Sequence, residues 1–236
     1  MFRNVAYLGQ MHEDIVDHSK PLIVTAAGNH RVQSGGSNPV NRPNGRGDYQ
    51  LIYIASGKVH FNLKGEDLIV KKGNLVLFRP GEPQIYSLHK EDKPETYWVH
   101  FTGSDVEKIL EYYQIPKNQN IFFVGTKTDY QWLYNQMIRE LQLKRINFND
   151  ALTLNLQHIF LTINRYLQEN NKIGTEMLAI IDHATHYFYE HYNQNIIIED
   201  YAKQQHVTSH WFTQSFKKSQ SALRCSTLFP CESLVQ

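Results

Sequence analysis

The stretch YQLIYIASGKVHFNLKGEDLIVKKGNLVLFRPGEPQIYSL, residues 49–88, decides the fold. Short runs of Val, Ile, Leu, Tyr and Phe are broken at close intervals by Gly, Pro, Asn and Asp. Such runs read as strands and such breaks as tight turns. The pattern predicts strands near 49–54, 58–63, 67–70, 75–78 and 84–88, and another at TYWVHF, 96–101. Many short strands at close spacing suggest a sandwich or small barrel, and a jelly-roll barrel fits. The mouth of such a barrel is a natural small-molecule site. Upstream, residues 1–48 are mixed, with loop signals such as SGGSNPVNRPNGRGD.

Downstream the period turns helical. DYQWLYNQMIRELQLKR, 129–145, has a 3.6-residue rhythm, and NDALTLNLQHIFLTINRYLQEN, 149–170, is clearer still. Asn149 is a candidate cap for the second helix. Leu152, Leu156, Ile159, Ile163 and Tyr166 step by 4, 3, 4, 3, the spacing of a heptad seam. One reading pairs two chains along this seam. The other packs the helix on the barrel, and both can hold on different faces. NNKIGTE, 170–176, is polar and reads as a linker. A further helix begins at MLAIIDHATHYFYEHYNQN, with Ile180, Ile181, Ala184, Tyr187, Phe188 and Tyr192 as its buried face.

The 236 residues carry 24 Lys/Arg and 23 Asp/Glu, so the net charge of +1 leaves no basic footprint on the whole chain. No apolar run approaches the roughly 18 residues of a membrane-crossing helix. The N-terminus has acidic residues and no apolar core, so no signal peptide and a cytoplasmic protein are expected. The two cysteines, Cys225 and Cys231, lie near the end and define neither a disulfide framework nor a metal site.

EDYAKQQHVTSHWFTQSFKK, 199–218, reads as a short helix, a tight turn and a second helix. Ala202 is small enough for close helix approach, Val207 fills the turn, and Thr208 can cap the second helix. Phe212 and Phe216, four apart, share a buried face. The opposite face presents Ser209, His210, Thr213, Gln214 and Lys217, which can reach base edges or phosphates from a major groove.

Here the chain resembles the AraC/XylS family of bacterial transcription regulators. IEDYAKQQHVTSHWFTQSFKK, preceded by a helix at 177–191, is similar to the family's first helix-turn-helix. YQLIYIASGKVHF, GNLVLFRPGEPQIY and YWVHF resemble its cupin-type sensor, and the helices at 129–168 its dimerisation region. The resemblance implies an α+β chain: an N-terminal cupin-like jelly-roll β-barrel with a helical dimerisation region, then a truncated all-α helix-turn-helix domain. Its parts would be a ligand-sensing barrel at 1–128, a dimerisation region at 129–169, a linker at 170–176, a DNA-binding module at 177–218 and an aberrant tail at 219–236. It implies base contacts at His210, Thr213 and Gln214, and phosphate-side contacts at Lys217 and Lys218. Ser215 departs from the pattern, standing where an apolar residue is usual. Gln214 stands where Arg is common; it can pair with adenine but not make an Arg–guanine contact.

The tail SQSALRCSTLFPCESLVQ does not resemble the family's connecting helix and second helix-turn-helix. A shifted reading frame is the expected cause, with a natural truncation as the alternative. Residues 177–236 hold Lys203, Lys217, Lys218 and Arg224 against Asp182, Glu190, Glu199, Asp200 and Glu232. That balance gives little electrostatic grip on DNA.

In the sensor, the metal-binding cluster of cupin enzymes would fall in GRGDYQLIYIASG, which has no His, and Gln84 stands where a His is common. Neither a metal nor another cofactor is expected. His60, His89 and His100 read as scattered, and His183, His186 and His191 as an exposed helix face without a completing carboxylate. Similarity to the family's sugar-sensing members places a ligand-holding Arg at Arg42, a loop Tyr at Tyr86 and a stacking Trp at Trp98. Thr96 stands where those members have a ring-contacting His. The expected protein is a ligand-responsive DNA-binding regulator and not an enzyme. Its partners would be a small effector such as a sugar or polyol, double-stranded DNA and a second copy of itself. The alternatives are a truncated sensor and dimerisation protein without DNA activity, and a metal-free cupin enzyme.

Overall fold

The punctuated runs of 49–88 do become strands. The computed structural model describes residues 2–9, 14–32, 38–170, 175–191, 196–205 and 207–222. The strands are β1 (Phe2–Tyr7), β2 (Ile23–Arg31), β3 (Asn38–Arg42), β4 (Tyr49–Ser56), β5 (Lys58–Leu63), β6 (Glu66–Lys71), β7 (Asn74–Phe78), β8 (Gln84–Leu88), β9 (Glu95–Thr102) and β10 (Ile121–Phe123). The helices are α1 (Val106–Tyr112), α2 (Thr128–Leu143), α3 (Phe148–Asn170), α4 (Thr175–Glu190), α5 (Ile198–Gln204) and α6 (Ser209–Ala222). The chain divides into two compact units, Met1–Leu167 and Gln168–Gln236.

In the first unit the strands form two sheets, not a closed barrel. One has the order β1-β2-β9-β4-β7-β10 and the other β3-β8-β5-β6, and neighbouring strands are antiparallel. Among the described residues no ladder joins the two, so the expected barrel is a sandwich. Gly57 makes the turn from β4 to β5 at φ 67°, and a Cβ there would stand 2.6 Å from the Lys93 carbonyl oxygen. Glycine alone fits that combination of backbone and space.

Alternation along the strands sorts side chains between two cores. Ile52, Ile54, Val76, Phe78 and Trp98 of the larger sheet meet Val59, Phe61, Val70 and Leu88 of the smaller one. Their neighbours Leu51, Tyr53, Leu75, Leu77, Tyr97, Val99 and Phe101 point the other way, onto the helices. The larger sheet is therefore buried on both faces, which is why LIYIA and LVLF read as continuous apolar runs rather than alternating ones.

Helix α2 covers that second face with Leu133, Tyr134, Met137, Ile138 and Leu141. Helix α3 adds Leu152, Leu156, Ile159, Phe160 and Ile163, all 1% exposed or less. The heptad-spaced stripe thus faces this chain's own core, with Tyr166 partly buried beside it, and a seam of these residues between two chains is not available in this fold. Each buried Leu or Ile contributes about 1.5–3 kcal/mol there, which outweighs leaving the stripe open for a partner. Asn149 does not cap α3. The helix begins at Phe148, and Asn147, at φ 60°, receives the Ala151 N–H on its carbonyl at 3.1 Å.

Three strands lie in the region read as loops. β2 is central to the larger sheet yet reads IVTAAGNHR, too small and polar for an obvious strand. Gly28 within it lies under the Trp98 ring: a Cβ would stand 2.6 Å from Trp98 Cε2. β3, with Pro39, is an edge strand, where a missing N–H is tolerated.

The second unit has its own small core of Ala184, Tyr201, Ala202 and Phe212, backed by Ile180, Tyr187, Phe188, Ile198, Val207 and Phe216. Ile181 is buried as well. α5 and α6 are joined through residues 205–208, where the Val207 N–H reaches the Ala202 carbonyl at 3.0 Å. α6 continues through Ala222, so the segment expected as an aberrant tail begins as helix. Residues 171–174 of the expected linker, Tyr192, and 223–236 with both cysteines lie outside the described residues.

Candidate ligand-binding site

A cavity of about 240 Å3 opens in the first unit. β9 supplies Trp98 and His100 to its wall, β4 Gln50, β2 Thr25, Ala26 and His30, and β1 Arg3, Val5 and Tyr7. From the smaller sheet come Asn38, Pro39, Val40 and Arg42 on β3 and Tyr86 on β8. Arg46 and Ile15 complete the lining. The polar members sit on the same faces as the core between the sheets, so the cavity is that core's polar end.

Of the four residues expected to hold a ligand, Arg42, Tyr86 and Trp98 line this one cavity. Thr96 is buried on β9 but is not part of the lining. Trp98 belongs to both cavity and core. Its ring is fixed by contacts at 6.2 Å to Tyr7, 5.7 Å to His30 and 5.2 Å to His100. Its Nε1–H donates to His30 Nε2 at 3.3 Å. Burial, helped by the Arg3 charge, pushes the His30 imidazole down to about 4, so at neutral pH its Nε2 is unprotonated and can accept that bond.

The wall residues Arg46 and His100 belong to an ionic group that sequence reading missed. Arg46 Nε donates to Asp48 Oδ1 at 2.7 Å and Arg46 Nη2 to Asp48 Oδ2 at 3.1 Å, a two-pronged buried pair. Arg46 Nη2 also stands 2.8 Å from Asp14 Oδ1. His100 Nδ1 is 3.3 Å from Asp48 Oδ1. Burial opposes ionisation of Asp48, but the bonds from His100 and Arg46 outweigh it and hold the carboxyl below its ordinary value. Burial pushes His100 down despite Asp48, with Arg46 and Arg42 adding to the effect. Neutral His100 then donates from Nδ1 to Asp48 and carries an acceptor at Nε2. The signal in the sequence was RGD, an Arg and an Asp two apart at the entry to a strand, which faces both side chains the same way.

Two polar atoms at the cavity have no partner among the described residues. Thr25 Oγ1 and Gln50 Oε1, both on lining residues, are buried without a hydrogen bond. Buried polar groups are nearly always bonded, so these two atoms suit a polar occupant of the cavity. Tyr86 stacks near Phe61 and Phe78 at 5.3 and 6.3 Å. Burial pushes its hydroxyl up, and the Gln50 bond and the charges of Arg42 and Arg46 pull against that.

The remaining histidines are not all scattered. The rings of His60 on β5 and His89, just after β8, lie 4.7 Å apart, with His60 Nε2 2.7 Å from Asp92 and His89 Nε2 2.7 Å from the Ser87 hydroxyl. His183 meets the Tyr201 hydroxyl at 2.8 Å, and His191 stacks on Tyr187 at 4.3 Å. Among the described residues no group of three potential metal ligands converges.

On α6 the residues expected to read DNA lie outward from the second unit's core. His210, Gln214 and Lys217 are exposed, and Ser209 and Thr213 half-buried. Thr208 caps the helix, its Oγ1 accepting the Trp211 N–H at 3.2 Å. Thr213 Oγ1 is already engaged, donating to the Ser209 carbonyl at 2.8 Å. Ser215 is buried, on the side of Phe212. The Lys218 side chain lies outside the described residues.

Residues 23–170 match the family described as the AraC-like ligand binding domain. No curated protein sequence matches the chain. Among solved structures, an apo ToxT variant from Vibrio cholerae is similar over 89% of this chain and 100% of that one, at 11% identity and a TM-score of 0.41. A cupin domain of an XRE-family transcriptional regulator from Enterobacter cloacae is similar over 42% of this chain and 95% of its own, at 15% identity and a TM-score of 0.29. Ethanolamine utilization protein Q from Salmonella typhimurium matches 34% of this chain, at 16% identity and a TM-score of 0.25, and the match spans 58% of that protein. None of these likenesses is close enough to transfer a function. No described helix is long and apolar enough to cross a membrane.

Proposed function

The chain belongs to the family of AraC-like ligand-binding domains, and from that premise we propose that it is a sensor of a small polar molecule that governs DNA reading by α6. The observation that carries the sensor reading is the cavity between the sheets. It combines an aromatic face, Trp98, with the Arg42 guanidinium and orphaned polar atoms on Thr25 and Gln50. An aromatic face suits the C–H side of a sugar or polyol, and the polar groups suit its hydroxyls.

The DNA-reading half rests on the outward face of α6 and its Thr208 cap, with His210, Thr213 and Gln214 toward bases and Lys217 and Lys218 toward phosphate. Two copies would supply two reading helices, and the ligand would act by binding two arrangements of the dimer with different affinity. The acidic balance of residues 177–236 favours a second reading, a sensor that binds little DNA by itself. Fluorescence anisotropy of the 236-residue chain on its own upstream DNA, against a scrambled duplex at physiological salt, decides between them. Preferential binding establishes the regulator. Equal or absent binding leaves a ligand sensor without DNA activity.

A further inference from the structure

We propose that the cavity takes a small hydroxylated carboxylic acid, such as a sugar acid, with its carboxylate seated on Arg42. The proposal rests on the sensor reading above and narrows it. Among the described residues the lining holds three arginines and no carboxylate. Arg46 is committed to Asp48 and Asp14. Arg3 donates to the Asn38 amide oxygen at 3.0 Å. Arg42, a half-buried residue, has no side-chain hydrogen bond or ion pair among the described residues. Its charge is felt at Tyr7, Tyr86 and His100, all of them cavity walls.

A partly desolvated cation without a counter-ion is unfavourable, and an incoming carboxylate removes that penalty. The planar fork of an arginine matches the two oxygens of a carboxylate. Neither histidine of the lining competes as a cation, since burial pushes both toward the neutral form.

The rest of the molecule is read from the orphans. Gln50 Oε1 is an acceptor without a donor among the described residues, and an O–H or N–H of the ligand would satisfy it. A protonated amine would meet a lining rich in arginine, so hydroxyls are the fitting donors and amino acids are disfavoured. About 240 Å3 lies below the roughly 300–1,000 Å3 of pockets for drug-sized ligands, which keeps the occupant to a small metabolite.

The test is calorimetric titration of the full chain with two matched pairs at constant ionic strength: galacturonate against galactose, and gluconate against sorbitol. The acids are expected to bind about tenfold or more tighter than their neutral partners. Arg42→Gln should bring them down to the neutral level. Arg42→Lys, which keeps the charge and loses the fork, should fall between. Circular dichroism checks that both variants fold. Neutral compounds binding as well as the acids, or an acid preference that survives Arg42→Gln, overturns the acid inference and leaves the sensor reading standing. No binding by any of the four overturns both readings of this cavity.

Discussion

At the scale of single residues, Gly28 and His30 bracket the Trp98 ring. Gly28→Ala would force a methyl against Trp98 and against Val5 Cγ1 at 2.9 Å. Overpacking of this kind costs about 1–3 kcal/mol, and here it also pushes the ring into the cavity. The expected outcome is a lower urea midpoint together with weaker ligand binding. His30 makes the fold acid-sensitive. Its folded value is about 4, below the ordinary 6.5 of an unfolded chain. The unfolded state therefore binds the proton first as pH falls. Stability is fully present above about 6.5 and declines toward 4, by on the order of 3 kcal/mol. His100 shifts in the same direction. Melting temperatures between pH 7.5 and 4.5 should show the decline, and His30→Gln, which can still accept the Trp98 N–H, should reduce it to the part due to His100.

At the scale of elements, α3 shows what a periodic pattern contains. Its 4, 3, 4, 3 stripe names a buried face but not what lies opposite. The structure puts Leu156 at 0% and Leu154 at 65% exposure. Leu156→Ala should lower stability by about 2–5 kcal/mol, while Leu154→Ala should change it by less than about 0.5 kcal/mol, both read from denaturant midpoints. The strands from 49 to 102 were legible because each is short, apolar and bounded by turn residues. β2 was not, since Thr25, Gly28 and Asn29 are dictated by cavity and ring packing rather than by strand propensity. The same reason hid part of the site. Arg42, Tyr86 and Trp98 could be named from family likeness, whereas His30, Gln50 and the Arg46–Asp48–His100 group depend on which strands neighbour one another. For α6, the DNA-reading proposal carries its own test in binding assays across sequences and salt. Gln214→Ala should relax preference at one base position by about 1–3 kcal/mol, and Lys217→Ala should weaken all duplexes alike and reduce the salt slope by about 1.

At the scale of the whole molecule, the two units each complete a core of their own. A chain ending at Asn170 should therefore keep the unfolding midpoint and ligand affinity of the full first unit, measured by urea denaturation and calorimetry. Within that unit the larger sheet is shared between two tasks. On β4 and β9 the even-numbered positions Gln50, Ile52, Ile54, Trp98 and His100 face the smaller sheet or the cavity, and the odd-numbered Leu51, Tyr53, Tyr97, Val99 and Phe101 face the helices. Chemical taste and mechanical support are thus written in alternate letters of the same strands. A change of ligand can be reached by substitutions at even positions while the odd ones stay untouched. Inserting or deleting one residue there would exchange the two sets and destroy both tasks together, so this sheet can diverge by replacement but not by length.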